Sequence, residues 1–409
     1  MTSEGRARAT GRAALNAASG ATSAAAIESG ATWRAATDAV VAALGGHEQA
    51  DLAIAFIDSR FRPHYQEIVD RLTASLRPAH LIGCTGQAVI GPGREAEDAP
   101  AVSVMTLHLP GAVLTPVAVL PGSSPARDLD ALAGAEASGL LVLADPFSVN
   151  TEQLIAAVQG RHPELTLLGG MASAHDGGRG TAVFLDGRVH GAGVVMLAIG
   201  GALTLRPVVA QGAEPLGRPW TITDSDRNLV KTIGNRPAID MLRETIDALD
   251  PETRERASRN LLVGLAIDEY RDAYRRGDYL IRNLLGYDQE SGAIAVSANV
   301  RIGQTIQFQF RDAAAADEDL REQLARVPGS LEPGERVLGA LLCTCNGRGV
   351  GLFGEPDHDA LAIDEVFGAL PTAGLFCNGE IGPVSGKTFL HGFTASVGLF
   401  TTRDGHAGA

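Results

Sequence analysis

The chain has little cysteine, no excess of basic residues and no long apolar run, and each shortage excludes a class of protein. Its 409 residues include 4 cysteines, too few and too scattered for a disulfide-dense secreted protein. With 34 Lys and Arg against 48 Asp and Glu, the net charge of -14 repels nucleic-acid phosphates, so we expect no nucleic-acid partner. The hydrophobic fraction of 45% still allows a sizeable core.

No apolar run is long enough to span a bilayer, which takes about 20 residues, so we expect no membrane insertion. The longest run, residues 192–205, is interrupted by glycines, and we interpret it as a hairpin that turns at Gly200 and Gly201. Residues 1–31 are rich in Ala, Gly and Ser and lack the apolar region of a secretory signal. They predict a disordered tail on a cytoplasmic protein.

Strand, helix and strand patterns follow one another along the chain. Two such series are residues 52–57, a helix from Pro63 and residues 79–84, then residues 140–144, 151–159 and 165–169. This alternation is typical of helices that cover a sheet with parallel strands. The predicted fold class is α/β, with two similar halves, residues 32–211 and 216–402, each a mixed β-sheet flanked by helices.

One short motif recurs where predicted strands end. Cys84, Cys345 and Cys377 each begin a Cys-x-Gly turn, and two of these turns read Cys-Asn-Gly. The stretch LLGGMASA, from Leu167, is in the same frame as LIGCTGQA, from Leu81. Such recurrence indicates a duplicated architecture that brings equivalent strand ends to one place. The competing interpretation is ordinary turn chemistry, because strands often end in small residues and glycine.

Longer stretches around these motifs resemble a known family. LLCTCNGRGVGLFGEPDHD and FCNGEIGPVSGKTFLHGFTASVGLF resemble the carboxy-terminal half of the FIST family of sensory proteins. DLAIAFIDSRF and HLIGCTGQAVIGPGREAEDAPAVSVMTLHLPG resemble its amino-terminal half, so the resemblance runs from about Trp33 to Phe400. It implies a bacterial-type small-molecule-sensing module in signal transduction, read by a separate signalling output protein. The ligands it implies are amino acids or other small metabolites, and some similar proteins bind haem and respond to nitric oxide.

Several polar residues lie where an apolar strand meets a turn. The candidate ligand-binding residues are Arg282, Asn283, Arg311, Cys345, Asn346, Arg348, Cys377, Asn378 and Glu380. A guanidinium presents a fork of donors to a carboxylate, and a glutamate accepts from an amino group, so the set is matched to an amino acid or a related metabolite. The alternative for each arginine is an ion pair with a carboxylate of the protein, which fixes a loop.

The sequence gives weaker signals for nucleotide binding, metal binding and catalysis. Gly349, Gly351 and Gly354 spell G-x-G-x-x-G, but residues 371–375, where an acidic residue should hold the ribose, contain no carboxylate. Cys343, Cys345 and Cys377 lack a fourth zinc ligand at standard spacing, so we assign no metal and favour small buried cysteines. No G-x-S-x-G elbow is present, and we assign no catalytic residue. An enzyme, with Glu380 as a base, stays a minor alternative.

Haem is a further alternative, and no cofactor is required. A haem iron needs an axial ligand in an apolar pocket, and His391, between Leu390 and Gly392, is the best placed histidine. The chain has no Cys-x-x-Cys-His attachment motif. The other interpretation of His391 is a core histidine bonded to a backbone carbonyl.

Overall fold

The computed structural model describes residues 11–18, 20–123, 125–130, 132, 137–177, 180–271 and 273–403. These residues form a mixed α/β fold with several mixed β-sheets flanked by helices, and the predicted fold class is confirmed. None of the helices in these ranges is both long enough and apolar enough to cross a membrane.

The strands and helices fall into three successive units. Unit 1 comprises β1 (Gly11–Ala18), β2 (Ala21–Ser29), α1 (Trp33–Ala43), β3 (Leu52–Asp58), α2 (Tyr65–Leu76), β4 (His80–Gly86), β5 (Val89–Gly91), β6 (Arg94–Ala96) and β7 (Ala101–His108). Unit 2 comprises β8 (Ala112–Val119), α3 (Pro125–Asp130), β9 (Ala137–Ala144), α4 (Thr151–Arg161), β10 (Thr166–Met171), β11 (Val183–Leu185), β12 (Arg188–His190) and β13 (Val194–Gly201).

Unit 3 is interrupted by an inserted segment. It opens with β14 (Leu203–Ala210). The insert comprises β15 (Glu214–Asp226), β16 (Leu229–Ile233), β17 (Arg236–Pro237), α5 (Ala238–Asp247), α6 (Pro251–Arg259), β18 (Leu261–Ala266), β19 (Tyr279–Tyr287), β20 (Ile294–Val296) and β21 (Thr305–Phe310). Unit 3 then continues with α7 (Ala313–Ser330), β22 (Glu335–Cys345), α8 (Val350–Phe353), α9 (His358–Phe367), β23 (Thr372–Cys377), β24 (Glu380–Val384), β25 (Lys387–His391) and β26 (Ala395–Arg403).

The three units share one topology. Each has a central pair of parallel strands: β3 with β4, β9 with β10, and β22 with β23. The last strand of the unit lies antiparallel beside the first of the pair. A further antiparallel strand, β2, β8 or β14, lies outside that last strand. The repeat therefore occurs three times: units 1 and 2 lie in the predicted first half, and unit 3 extends from β14, at the end of that half, through the second.

An equivalent glycine in each unit shows which residues of the three units correspond. A Cβ atom added at Gly83, Gly169 or Gly374 would lie 1.9, 1.9 or 2.1 Å, respectively, from a carbonyl oxygen on the neighbouring parallel strand. Only glycine tolerates so close an approach of two backbones. Cys84 and Gly170 directly follow their glycines and are equivalent. Cys377 lies on the corresponding strand but two positions further on.

Each unit completes the sheet of another through its hairpin. The hairpin β5–β6 of unit 1 extends the sheet of unit 3, β24–β25 of unit 3 extends that of unit 2, and β11–β12 of unit 2 extends that of unit 1. Equivalent backbone bonds mark the exchange: Thr85 N to Ala182 O, Met171 N to Gly379 O and Phe376 N to Ala88 O, at 3.0, 2.8 and 3.0 Å. The cyclic exchange brings the carboxyl ends of β4, β10 and β23 together. Buried residues of all three units share one core there.

The inserted segment forms a sheet of its own. Its strands run in the order β15-β21-β18-β19-β20-β16-β17, and β15 also pairs with β16, so the sheet curls back on itself. It begins at Glu214, where the sequence predicts the change of half between residues 211 and 216. Its last strand ends at Phe310, and Arg311 follows at once. The insert thereby places Arg311 at the start of α7.

Two local predictions are wrong. Residues 11–18 and 21–29 of the expected disordered tail form paired strands, and β2 continues the sheet beside β7. Alanine has little strand preference of its own, so this pairing depends on tertiary context: the small Ala24 and Ala26 pack beneath α1. The apolar run around Gly200 is no hairpin either, because β13 and β14 pair in different sheets.

Candidate functional site

The two Cys-Asn-Gly turns lie side by side at the carboxyl ends of β22 and β23. These strands are parallel neighbours, and Cys345 and Cys377 are register partners. Asn346 Nδ2 donates to Asn378 Oδ1 at 2.8 Å, and Asn346 N donates to Cys377 O at 3.1 Å. The two turns come together, but they end different strands of one unit, so the prediction that Cys345 and Cys377 end corresponding strands of the repeat is wrong. Carboxyl ends of parallel strands are common places for ligand sites.

Arg311 reaches these turns from the insert. Its Nη1 donates to Phe393 O at 2.8 Å, its Nη2 donates to Gly347 O at 3.1 Å, and its guanidinium lies 4.4 Å from the centre of the Phe393 ring. The residue is only 4% exposed, and burial, with the nearby charge of Arg348, lowers its pKa to about 10. Arg311 is therefore still charged at neutral pH. Both hydrogen bonds go to carbonyl groups, so neither supplies a compensating full charge.

A cavity of about 640 Å³ adjoins Arg311. It lies between α6, the start of α7 and α8, and its lining residues are Glu252, Glu255, Arg256, Asn260, Arg311, Asp312, Ala313, Ala314, Gly351 and Leu352. Its volume is in the range of small-molecule sites, about 300–1,000 Å³. Six of its ten lining residues have charged or amide side chains, so the cavity can bind a small polar ligand through these groups.

Glu380 is buried beneath the second turn. It is 0% exposed, its Oε2 accepts from Thr394 N at 3.0 Å, and the Cys377 thiol lies 3.4 Å from its Oε1. Burial raises the pKa of Glu380 to about 8. The carboxyl group is mostly protonated at neutral pH, so it supplies no fixed negative charge for a ligand amino group.

Arg348 is engaged inside the protein. Its Nε and Nη2 donate to the two carboxylate oxygens of Asp359 at 2.7 and 2.8 Å, and the residue is only 1% exposed. Asp359 also accepts from Thr344 Oγ1 at 2.6 Å, and His358 Nδ1 lies 2.9 Å from it. These partners hold the pKa of Asp359 well below its ordinary value. Of the two sequence interpretations, this geometry matches an arginine that fixes a loop.

Unit 1 contributes two carboxylates to the same region. Glu95 Oε1 accepts from the backbone N–H groups of Asp359 and Ala360 at 2.8 and 3.0 Å, at the start of α9. Glu97 Oε1 accepts from Val350 N at 2.9 Å, at the start of α8. A carboxylate thus occupies the helix end that a G-x-G-x-x-G motif would offer to a phosphate. The dinucleotide interpretation therefore has no support here.

Arg282 and Asn283 lie on β19 of the inserted sheet. Arg282 Nη1 donates to Ile281 O at 3.0 Å, and its Nη2 lies 3.9 Å from Glu152 of unit 2. Asn283 N donates to Ser297 Oγ at 2.8 Å. None of these partners belongs to the two turns, so the structure does not bring this pair into the cluster with the other candidates.

The cysteines have the properties of small buried residues. Cys84, Cys343 and Cys377 are buried, and Cys345 is partly exposed. Burial raises the pKa of each thiol, that of Cys345 to about 11, so these side chains are protonated at neutral pH. A protonated thiol is a poor nucleophile and a poor metal ligand. The described residues contain no group of three His, Cys, Asp or Glu side chains arranged to hold a metal ion.

The surroundings of His391 do not fit a haem ligand. The residue is 3% exposed, its Nε2 lies 2.9 Å from Gly382 O, and the Phe389 ring meets it edge-on at 6.2 Å. Burial lowers the pKa of His391 to about 4, so the ring is neutral. The cavity beside Arg311 is not lined by His391. This is the environment of a core histidine bonded to a carbonyl group.

Comparison with known proteins agrees with the shared architecture. Residues 51–236 match the FIST N domain, and residues 238–383 match the FIST C domain. The chain belongs to the FIST family. FIST domains are predicted to act in sensory signal transduction.

Mycobacterial relatives of this FIST protein cover most of its length. An uncharacterised protein of Mycobacterium tuberculosis H37Rv, Rv0628c, is 40% identical over 353 residues, or 83% of this chain and 89% of the relative. An uncharacterised protein of Mycobacterium bovis, Mb0898c, is 39% identical over 353 residues, or 83% of this chain and 88% of the relative. Neither name states a ligand.

The sequence did not predict three residues of the site: Phe393, Thr394 and Asp359. Phe393 contacts Arg311 through its backbone carbonyl group, and Thr394 contacts Glu380 through its backbone N–H group. Every residue type has such backbone groups, so the sequence does not mark these contacts. Asp359 lies at the start of α9, and nothing in the sequence pattern distinguishes a buried partner of Arg348 from a solvated carboxylate. The short motif EPDHD, with two aspartates around a histidine, is the one local signal that marks this helix start.

Proposed function

We propose that this FIST protein is a small-molecule-sensing module whose ligand, an amino acid or a related small metabolite, binds beside Arg311. One observation carries the proposal: Arg311 lines a cavity of about 640 Å³, and its buried, charged guanidinium is bonded only to carbonyl groups in the described part of the chain. A desolvated guanidinium favours a carboxylate partner, because charge-assisted bonds of this kind are about twice as strong as neutral ones.

The other lining groups support the same ligand class. At the start of α7 the lining residue Asp312 caps the helix and is paired with Arg256, so Arg311 is the lining cation that remains for an anionic group. Glu252 on α6, which also lines the cavity, offers an acceptor for a ligand amino group, a role that the buried, neutral Glu380 does not fill. In this proposal Arg311 takes the carboxylate and Glu252 takes the amino group.

Arg311 also supplies a route from ligand to signal. The same guanidinium holds Gly347 O of the first turn and Phe393 O beside the second. A ligand carboxylate that attracts the guanidinium would compete with these two carbonyl groups and shift the loops that carry them. In our proposal a separate output protein reads that shift. The cytoplasmic location expected from the sequence stays a prediction.

A thermal-shift screen of the amino acids and small carboxylates tests the proposal. A ligand at a hundredfold excess over its dissociation constant stabilises the folded state by about 2.7 kcal/mol, which a thermal shift detects. Arg311→Lys retains the charge but loses the fork of donors, so it should abolish most of the shift. The matched control is Arg227→Lys, a highly exposed arginine in the insert, which should leave the shift unchanged. A ligand shift that survives in Arg311→Lys contradicts this site.

A further inference from the structure

Within the described ranges, the N-terminal strand β1 pairs along one edge only. It forms the margin of the seven-stranded sheet of unit 1, and its pairing with β2 runs over all eight residues, from Gly11 opposite Glu28 to Ala18 opposite Ala21. Pairing with β2 satisfies one side of a strand only. An edge strand presents a row of N–H and C=O groups on its other side, which is a template for another strand.

The other sheet margins in the described ranges carry the protection that edge strands usually have. Pro116 interrupts β8 and Pro207 interrupts β14. The margins β6, β12 and β17 have only three, three and two residues. At the remaining margins, β15 turns back onto β16, and α4 packs against β25. The strand β1 reads GRAALNAA: it is long, has no proline, and has a single charged residue, Arg12.

The side chains of β1 extend an apolar face beyond its covering helix. Ala13 and Leu15 are paired in register with Ala26 and Ala24, which α1 covers. Ala13, Leu15 and Ala17 themselves are exposed, and Leu15 is 67% exposed. On the opposite face of the strand, Asn16 is fixed, because its Nδ2 donates to the carbonyl groups of Val337 and Leu338 at 3.0 and 3.3 Å. The strand is held in place with an apolar row uncovered.

We propose that β1 pairs antiparallel with β1 of a second copy, so that two seven-stranded sheets join into one. Charge favours this place: two copies with a net charge of -14 each repel one another over most of their surface, whereas residues 13–18 carry no charge. A pairing centred on Leu15 sets the two Arg12 residues roughly 20 Å apart along the strands, beyond the Debye length of about 8 Å at physiological ionic strength. The strand is thus complementary to itself. Backbone pairing supplies the contact, and the apolar rows of the two copies become continuous.

Sedimentation and light scattering of the full chain over a range of concentrations test this proposal. The wild-type protein should be a dimer, and Leu15→Glu should be a monomer with an unchanged far-ultraviolet spectrum, because it places like charges across the new ladder. Leu229→Glu, at an apolar residue of the inserted sheet that is 37% exposed, is the matched control and should leave the dimer intact. A wild-type monomer at all concentrations overturns the proposal, as does a dimer that survives Leu15→Glu.

Cysteine cross-linking checks the arrangement of the two strands. Among Ala13→Cys, Leu15→Cys and Ala17→Cys, the variant nearest the twofold centre should form a disulfide-linked dimer under mild oxidation, and the parent protein should not. Antiparallel pairing requires the yield to fall with distance from that centre, so equal yields from all three overturn it. The proposal is also overturned if the full chain is a monomer and a variant without residues 1–10 is a dimer, because residues 1–10 would then occupy this edge.

Discussion

Removal of the Arg348 side-chain charge tests the assignment of this residue as an internal ion-pair partner. In Arg348→Met the Asp359 carboxylate stays buried without its cation, and loss of one partner of a buried pair typically costs about 3–5 kcal/mol. Thr344 and His358 still bond to Asp359, so we expect a value near the lower limit, about 3 kcal/mol. The measurement is the free energy of unfolding from a urea titration at pH 7.

A double-mutant cycle separates the pair from its surroundings. Replacing both partners by apolar residues removes the uncompensated charge, so Arg348→Met with Asp359→Leu should recover at least half of the loss. The control is Arg326→Met on α7, at an exposed ion pair with Glu322, which should change stability by less than about 0.5 kcal/mol. An Arg348→Met variant that loses less than about 1 kcal/mol of stability and no longer shows a ligand-induced thermal shift contradicts the internal ion pair. That result would make Arg348 a recognition residue, as the sequence motif suggests.

Three further substitutions test the site and the repeat. The pKa of Glu380 is raised from 4.5 to about 8, so the folded state retains a proton that the unfolded state loses, and stability should fall as pH rises through that window, by at most about 5 kcal/mol. Glu380→Gln should flatten this part of the stability profile, and a profile parallel to that of the wild type contradicts the burial argument. Gly374→Ala should lower the free energy of unfolding in urea by at least about 3 kcal/mol, because its Cβ would clash with the neighbouring strand. Gly160→Ala, where a Cβ meets nothing within 4 Å, should stabilise α4 slightly. Similar effects of the two substitutions would contradict the close approach of the two backbones at Gly374. Cys345→Asp should pair with Arg311 and remove the ligand-induced thermal shift, which Cys345→Ser should retain; loss of the shift in both would point to the thiol itself.

Local patterns predicted the crossover units well. The buried strand at residues 52–57, the helix that opens near Pro63 and the strand to Cys84 appear as β3, α2 and β4, and the second series appears as β9, α4 and β10. These elements have strong periodicity and short connections, so their type and order follow from the residues nearby. Convergence of the two Cys-Asn-Gly turns was predictable for the same reason, since β22 and β23 are joined by one crossover and therefore lie in parallel.

The exchange of hairpins was beyond any local signal. Nothing in the residues of β5 and β6 indicates that they pair with β23, almost 300 positions later in the chain, instead of with their own unit. The same limit applies to Arg348, since the sequence motif places it at a strand end but cannot tell whether its partner is a ligand or Asp359. Which strands pair, and which carboxylate an arginine meets, depends on tertiary context, so the sequence alone did not predict these parts of the site.

Comparison of the units gives a physical reason why the candidate site belongs to unit 3. Asp58, Asp145 and Cys345 are equivalent, because each lies three residues beyond the position that faces the shared glycine. Asp58 is bonded by the guanidinium of Arg60, and Asp145 accepts from the hydroxyl groups of Ser148 and Thr181, so both carboxylates are satisfied within the protein. In unit 3 the equivalent residue is Cys345, whose thiol is protonated. The charged guanidinium of Arg311 beside it therefore has no carboxylate partner at this position. In our proposal the thiol of unit 3 leaves the Arg311 guanidinium to an anion from outside, whereas units 1 and 2 already hold a carboxylate at this position.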